Sequence, residues 1–176
     1  MNGRNSRKRL RHAIIFAMFG AMMFCSKLIM EGLPNIHPLG MFIMLLTVVY
    51  RTKALIPIYI YVMIQGVYVG FDVWWVAYLY VWAILWGMTM LLPQNMPDKV
   101  AAVVYPAVCG LFGLVFGLAY APAWAIMYGL TFKEALAWTA VGLSFDLLHL
   151  AGNAAMGCLV LPLSKVLLKL ENNAEK

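Results

Sequence analysis

Long apolar runs separated by short polar breaks dominate the chain and predict helices that cross a membrane. Most runs approach the roughly 20 residues that a helix needs to span a bilayer. They predict six helices, at about 13–30, 39–50, 54–71, 74–92, 100–120 and 135–160. The predicted fold is an all-α, six-transmembrane-helix bundle. We predict a single membrane domain over 1–176, with a basic tail at 1–12, a helical bundle at 13–168 and a second tail at 169–176.

Several breaks have a clear chemical origin. A Pro-rich loop, 31–38, separates the first two helices, and Pro122 is expected to interrupt the fifth. Helix 2 has only about 12 apolar residues, too few to cross the hydrocarbon core upright. We therefore expect it to be partly re-entrant, to thin the bilayer locally, or to borrow residues from the preceding loop.

Composition agrees with this pattern, because 64% of the residues are hydrophobic and only 11% are charged. The basic N-terminal segment leads into an apolar run without a small-residue cleavage site, so we interpret that run as a retained first helix rather than a signal peptide. The net charge of +6 lies mostly on the N-terminal tail and at helix ends. It predicts orientation and contact with anionic lipid, not nucleic-acid binding.

The distribution of Lys and Arg predicts the orientation. Eleven of the 13 lie in the N-terminal tail, the 2–3 and 4–5 loops and the C-terminal tail, and only Lys27 and Lys133 lie on the other side. By the positive-inside rule, both termini of this multi-pass protein are expected in the cytoplasm, with the chain in the cell membrane.

A stripe of small residues marks helix 1. Ala13, Ala17 and Ala21 are spaced by four and share one face of the helix. Such a stripe lets a second helix approach closely in lipid. It serves either internal packing against neighbouring helices or docking of a partner.

Polar side chains share one face of helix 6. Asp146, His149 and Asn153 are spaced by three and four, in line with Trp138 and Gly142. Ionisable groups inside a membrane usually face a cavity or pair with one another. They predict a ligand site, with a structural Asp–His pair as the alternative.

Aromatic and polar residues elsewhere fit the same site. Tyr78, Trp82 and Trp86 share a face of helix 4 and can stack on a flat ring or form core, whereas Trp74 and Trp75 suit an interfacial belt. Trp124 lies near the 5–6 loop, and Gln65 is a lone polar residue on helix 3. A further group in and after helix 1 suggests a gate over an outward-facing pocket: Lys27, Glu31, Asn35 and His37.

The chain has no recognisable catalytic signature. It lacks the HExxH, GxSxG, P-loop and dinucleotide-binding motifs, so we predict no catalytic residues and no ATP hydrolysis. Cys25, Cys109 and Cys158 lie in apolar runs without a CxxC pattern or a nearby histidine pair. We interpret them as small hydrophobic residues, and predict neither a metal site nor a cofactor of the chain's own.

The helix layout, the basic N-terminal tail and the Ala13, Ala17 and Ala21 stripe resemble the substrate-binding (S) component of an energy-coupling factor (ECF) transporter. The resemblance covers nearly the whole chain. It implies that the alanine stripe docks a transmembrane coupling protein (T component), which works with two ATPase subunits that use ATP. It also implies an outward pocket for a vitamin or related micronutrient, with a lid from the 1–2 loop. The implied contacts are His37, Trp82, Trp124, Asp146, His149 and Asn153.

The expected function is therefore capture of a small heterocyclic micronutrient by the binding subunit of an ATP-driven importer. With Gln65 and Tyr78 added, the pocket combines acidic, imidazole, amide and aromatic groups. Asp146 favours a neutral or cationic ring over an acid. The alternatives are a proton- or ion-coupled carrier that uses Asp146 and His149 as a relay, and a small membrane enzyme with that pair as general acid and base.

Overall fold

A computed structural model describes residues 3–33 and 36–175, and every regular element in these residues is helical. A short 3-10 helix at Arg51–Ala54 joins the second and third of eight α-helices. These are α1 (Gly3–Ile29), α2 (Leu39–Tyr50), α3 (Leu55–Val69), α4 (Val73–Met90), α5 (Asp98–Leu114), α6 (Phe116–Tyr128), α7 (Phe132–Gly157) and α8 (Val160–Glu175).

Five helical stretches of the described residues are long and apolar enough to cross a membrane, which is compatible with a multi-pass membrane protein. They are Ser6–Ile29, Leu39–Val69, Val73–Met90, Asp98–Tyr128 and Phe132–Gly157. The prediction of an all-helical fold is confirmed. Helices α2 and α3 together form one of the five stretches, Leu39–Val69.

The chain reverses direction between α2 and α3. Tyr50 and Phe42 of α2 contact Phe16 and Phe19 of α1, so α2 runs antiparallel to α1. By contrast, Gly20 and Phe24 of α1 face the start and the end of α3, which therefore runs parallel to α1. The reversal occurs at Arg51, which has a φ of 54°.

The short second helix lies at the centre of the bundle. Nine of its twelve residues are buried, and it packs on α1, α4, α5, α7 and α8. Its length of about 18 Å is insufficient for a span of about 30 Å. The preceding loop packs inside the bundle, where His37 reaches Trp82, halfway along α4. Irregular backbone inside a helical bundle is tolerated when protein or a cavity surrounds it.

Both segments predicted as tails are helical in the described residues. The predicted tail at 1–12 is helical from Gly3 onward, because Lys and Arg are good helix formers and continue the apolar segment. The predicted tail at 169–176 belongs to α8 as far as Glu175.

The break in the fifth predicted helix lies at Val115 rather than at Pro122. Helix α6 continues through Pro122 because the Tyr80 hydroxyl bridges the turn around it. That hydroxyl donates to the Ala119 carbonyl at 2.9 Å and accepts from the Ala123 N–H at 3.2 Å. A side chain inserted at a proline turn supplies partners to backbone groups that the proline disturbs.

Candidate functional site

Polar groups collect at opposite ends of the bundle. At one end, Arg11 pairs with Glu171 and Lys165 with Asp98, and the Arg51 guanidinium donates to the Met90 carbonyl at 2.8 Å. We call this the charged end. The other end carries a pocket of about 220 Å³ that opens between α1, α3, α4 and the loop before α2.

This pocket contains four of the eight predicted substrate-binding residues. His37, Gln65, Tyr78 and His149 line it. Lys27 and Glu31 also line it, which places two members of the predicted gate group at the pocket. Asn35, the remaining member of that group besides His37, lies outside the described residues.

Two histidines of the pocket lining face each other. Their Nε2 atoms lie 3.4 Å apart, slightly beyond the usual hydrogen-bond distance of about 2.7–3.2 Å. In a neutral imidazole one nitrogen donates and the other accepts, so each ring can offer both to its neighbour or to a ligand.

Close approach of two helices fixes His149. A Cβ added to Gly113 of α5 would lie only 2.6 Å from the His149 carbonyl carbon, so only glycine allows this spacing. The His149 ring then packs on Phe116, with centroids 4.6 Å apart. Small residues such as Gly113 let two helix backbones approach closely in a membrane.

An aromatic group surrounds Trp82, which is 1% exposed. Its ring centroid lies 5.1 Å from Tyr78, 6.2 Å from Tyr61 and 6.4 Å from His37. Because Tyr78 and His37 line the pocket, Trp82 lies directly behind its wall.

Several buried polar atoms near the pocket have no hydrogen-bond partner among the described residues. They are His37 Nδ1, Tyr61 Oη, Trp82 Nε1 and, one turn of α7 beyond His149, Asn153 Oδ1. Buried polar groups are normally hydrogen-bonded, and leaving one unpaired costs about 1–3 kcal/mol. Three of the four atoms belong to rings that contact one another through Trp82. The free-energy cost of unpaired polar atoms is therefore concentrated around Trp82.

The remaining three predicted contacts lie away from the pocket lining. Asn153 packs where α7 meets Gly40 of α2. Trp124 stacks on Trp138 between α6 and α7, with centroids 5.7 Å apart. Asp146 is buried and points toward the start of α6.

Asp146 and His149 take different partners. Asp146 Oδ1 accepts from the Gly117 N–H at 3.0 Å, in the first turn of α6, whereas His149 faces His37. A carboxylate at a helix N-terminus satisfies a free N–H and suits the positive end of the helix dipole. The geometry thus gives Asp146 a capping role at the α5–α6 break.

Replacing Asp146 by leucine is expected to lower the free energy of unfolding by about 0.5–2 kcal/mol, the usual effect of losing a helix cap. Asp146→Asn retains an acceptor oxygen and should lose less. Thermal unfolding in detergent measures both, with Ser144→Leu, an exposed position on the same helix, as the matched control. Equal stability of Asp146→Leu and wild type would contradict the capping role.

Sequence reasoning missed Tyr61 and Phe116. Tyr61 precedes Gln65 by four residues, so the two share a face of α3, and this spacing was a usable signal. Phe116 gave no such signal, because its position depends on the helix break at Val115.

The alanine stripe lies on the outside of the bundle. Ala13, Ala17 and Ala21 are all exposed, whereas Gly20 packs against Ile60 of α3. Internal packing, the alternative interpretation of the stripe, therefore does not account for it.

The chain matches no protein-family model, no curated protein and no solved structure.

Proposed function

We propose that the protein is the substrate-binding subunit of an ECF-type importer, which captures a small heterocyclic micronutrient outside the cell. The pocket carries this proposal. Its lining combines His37, His149, Gln65 and Tyr78, and the unpaired polar atoms of Tyr61 and Trp82 lie behind that lining. Concave sites with aromatic walls and a few convergent polar groups are the usual form of small-molecule sites.

The proposed orientation follows from the charges. Arg11, Arg51 and Lys165 gather at the charged end, which we assign to the cytoplasm. The pocket then opens outward. With α2 and α3 counted separately and α5–α6 together, the chain crosses the membrane six times, and the amphipathic α8 lies along the cytoplasmic surface.

The proposed delivery step uses the exposed face of α1. Ala13, Ala17 and Ala21 form a shallow strip at which the backbone of another helix can approach. A transmembrane coupling protein docks there, and two ATPase subunits hydrolyse ATP. In this proposal the chain itself is a binding protein and not an enzyme. A relay through Asp146 and His149 receives less support, since each contacts a different partner.

The direct test is purification of the tagged full-length protein from its host membranes in mild detergent, with partners identified by mass spectrometry. We expect a membrane coupling protein and paired ATPases in stoichiometric amounts. A known complex from the same membranes, recovered intact, controls for dissociation. If the control complex survives while this protein emerges alone, the importer proposal is wrong.

A further inference from the structure

The ionic character of the pocket differs from the sequence expectation. Asp146, the residue that favoured a neutral or cationic ring, contacts α6 and does not line the pocket. The charged side chains that line it are Lys27 and Glu31. The pocket therefore contains a cation close to the predicted ligand contacts.

Lys27 is the less solvated of these two charges. Its ammonium lies 5.4 Å from the ring centroid of Tyr78, over a wall of the pocket, and Lys27 is only partly exposed. Among the described residues, no carboxylate lies within 4 Å of this ammonium, although Glu31 is one helical turn away and exposed. Glu31 attracts Lys27 over this longer distance but is itself exposed, so an anionic ligand group in direct contact with the ammonium would offset more of the free-energy cost of its partial burial.

Two hydrogen-bond donors lie behind the pocket wall that Tyr78 and His37 form. The indole N–H of Trp82 can only donate, and the Tyr61 hydroxyl can donate, yet neither has a partner among the described residues. A ligand bound against this wall therefore gains by presenting acceptors toward them. Phe116 and Tyr78 supply aromatic surfaces between the two sides.

From these three features we infer that the ligand is a flat heteroaromatic acid, whose carboxylate pairs with Lys27 and whose ring-edge acceptors face the His37 side of the pocket, with Tyr61 and Trp82 behind it. This inference rests on the proposed binding function and names its substrate class. A volume of about 220 Å³ suits one or two fused rings. The carboxylate lies beside Lys27, in the last turn of α1.

Matched acid and amide probes test the inference on the purified full-length protein. The pairs are pyridine-3-carboxylate and its carboxamide, uracil-6-carboxylate and its carboxamide, and pterin-6-carboxylate and its carboxamide. Each pair keeps ring and shape and changes only the charge. Isothermal titration should give at least one acid that binds tenfold or more tightly than its amide. That preference should disappear in Lys27→Met and persist in Lys27→Arg.

Lys133→Met is the matched control, since it removes the other lysine that the sequence places away from the charged end, in the exposed first turn of α7. It should retain the preference for the acid. Thermal unfolding confirms that Lys27→Met is folded, and Lys27→Gln provides a second neutral variant if it is not. The inference is overturned if no acid binds, if the amides bind as well as the acids, or if both neutral variants retain the preference.

The importer proposal and this inference fail in distinguishable ways. Acid binding without recovered ATPases would overturn the importer and leave the ligand class standing. Recovered ATPases with tighter binding of amides would overturn the ligand class and leave the importer standing.

Discussion

Replacing Ala17 by leucine is expected to abolish uptake and co-purification of the ATPases while ligand binding stays within about twofold of wild type. Ala17 lies at the middle of the exposed strip on α1, between Ala13 and Ala21. Leucine there holds the approaching backbone away, and helix association in lipid depends on close packing. A packing loss of about 1.4 kcal/mol already lowers affinity tenfold.

The separation of the two surfaces is the reason for expecting normal ligand binding. Ala17 lies nearly three turns before Lys27 on α1, and its side chain is exposed. The pocket is lined from Phe24 onward along this helix. Leucine at position 17 therefore adds volume outside the bundle, without contact to the pocket.

A matched substitution distinguishes docking from general disturbance of the membrane surface. Ala107→Leu adds the same volume at an exposed position of α5. It should leave uptake and co-purification unchanged. Normal uptake by the Ala17→Leu protein would show that the strip on α1 is not the docking surface.

Sequence periodicity predicted the helices well because each apolar run carries its own signal. The bounds of α2, at Leu39–Tyr50, agree with the predicted 39–50, since proline precedes the helix and a charged residue follows it. Lys and Arg gave no comparable signal for the start of α1, because they are compatible with both a helix and a tail.

Sequence periodicity identified which residues share a face of a helix, but not how deeply that face is buried or which elements it contacts. Asp146, His149 and Asn153 do share a side of α7, and all three are buried. However, each meets a different neighbour, because the α5–α6 break brings Gly117 opposite Asp146, and α2 starts beside Asn153. These neighbours depend on how distant elements pack, which a single helix pattern does not encode.

The depth of the pocket arises from the same kind of long-range effect. The loop before the short α2 descends into the bundle, and this places His37 opposite His149. Sequence reasoning recognised that the helix was short. It did not reveal that the loop would bring two histidines, 112 residues apart, into contact.

Replacing both histidines by leucine is expected to abolish ligand binding while leaving the free energy of unfolding unchanged or higher. Removing both members of a buried polar pair can be nearly neutral or stabilising, whereas removing one leaves its partner unsatisfied at a cost of about 1–3 kcal/mol. His37 already has an unpaired Nδ1, which the double substitution also removes. We therefore expect His37→Leu and His149→Leu to be less stable than the double variant.

A double-mutant cycle of these variants distinguishes a histidine pair that binds ligand from a structural lock, meaning a pair that only stabilises the fold. Thermal unfolding of wild type, both single variants and the double variant gives the coupling free energy between the two sites. A structural lock would make the double variant the least stable of the four, by more than about 2 kcal/mol. His12→Leu, at the charged end beside Glu171, removes a histidine far from the pocket and should leave ligand binding unchanged. Polar groups kept at the expense of stability are typical of functional sites. We therefore expect the double variant to be stable and to bind no ligand.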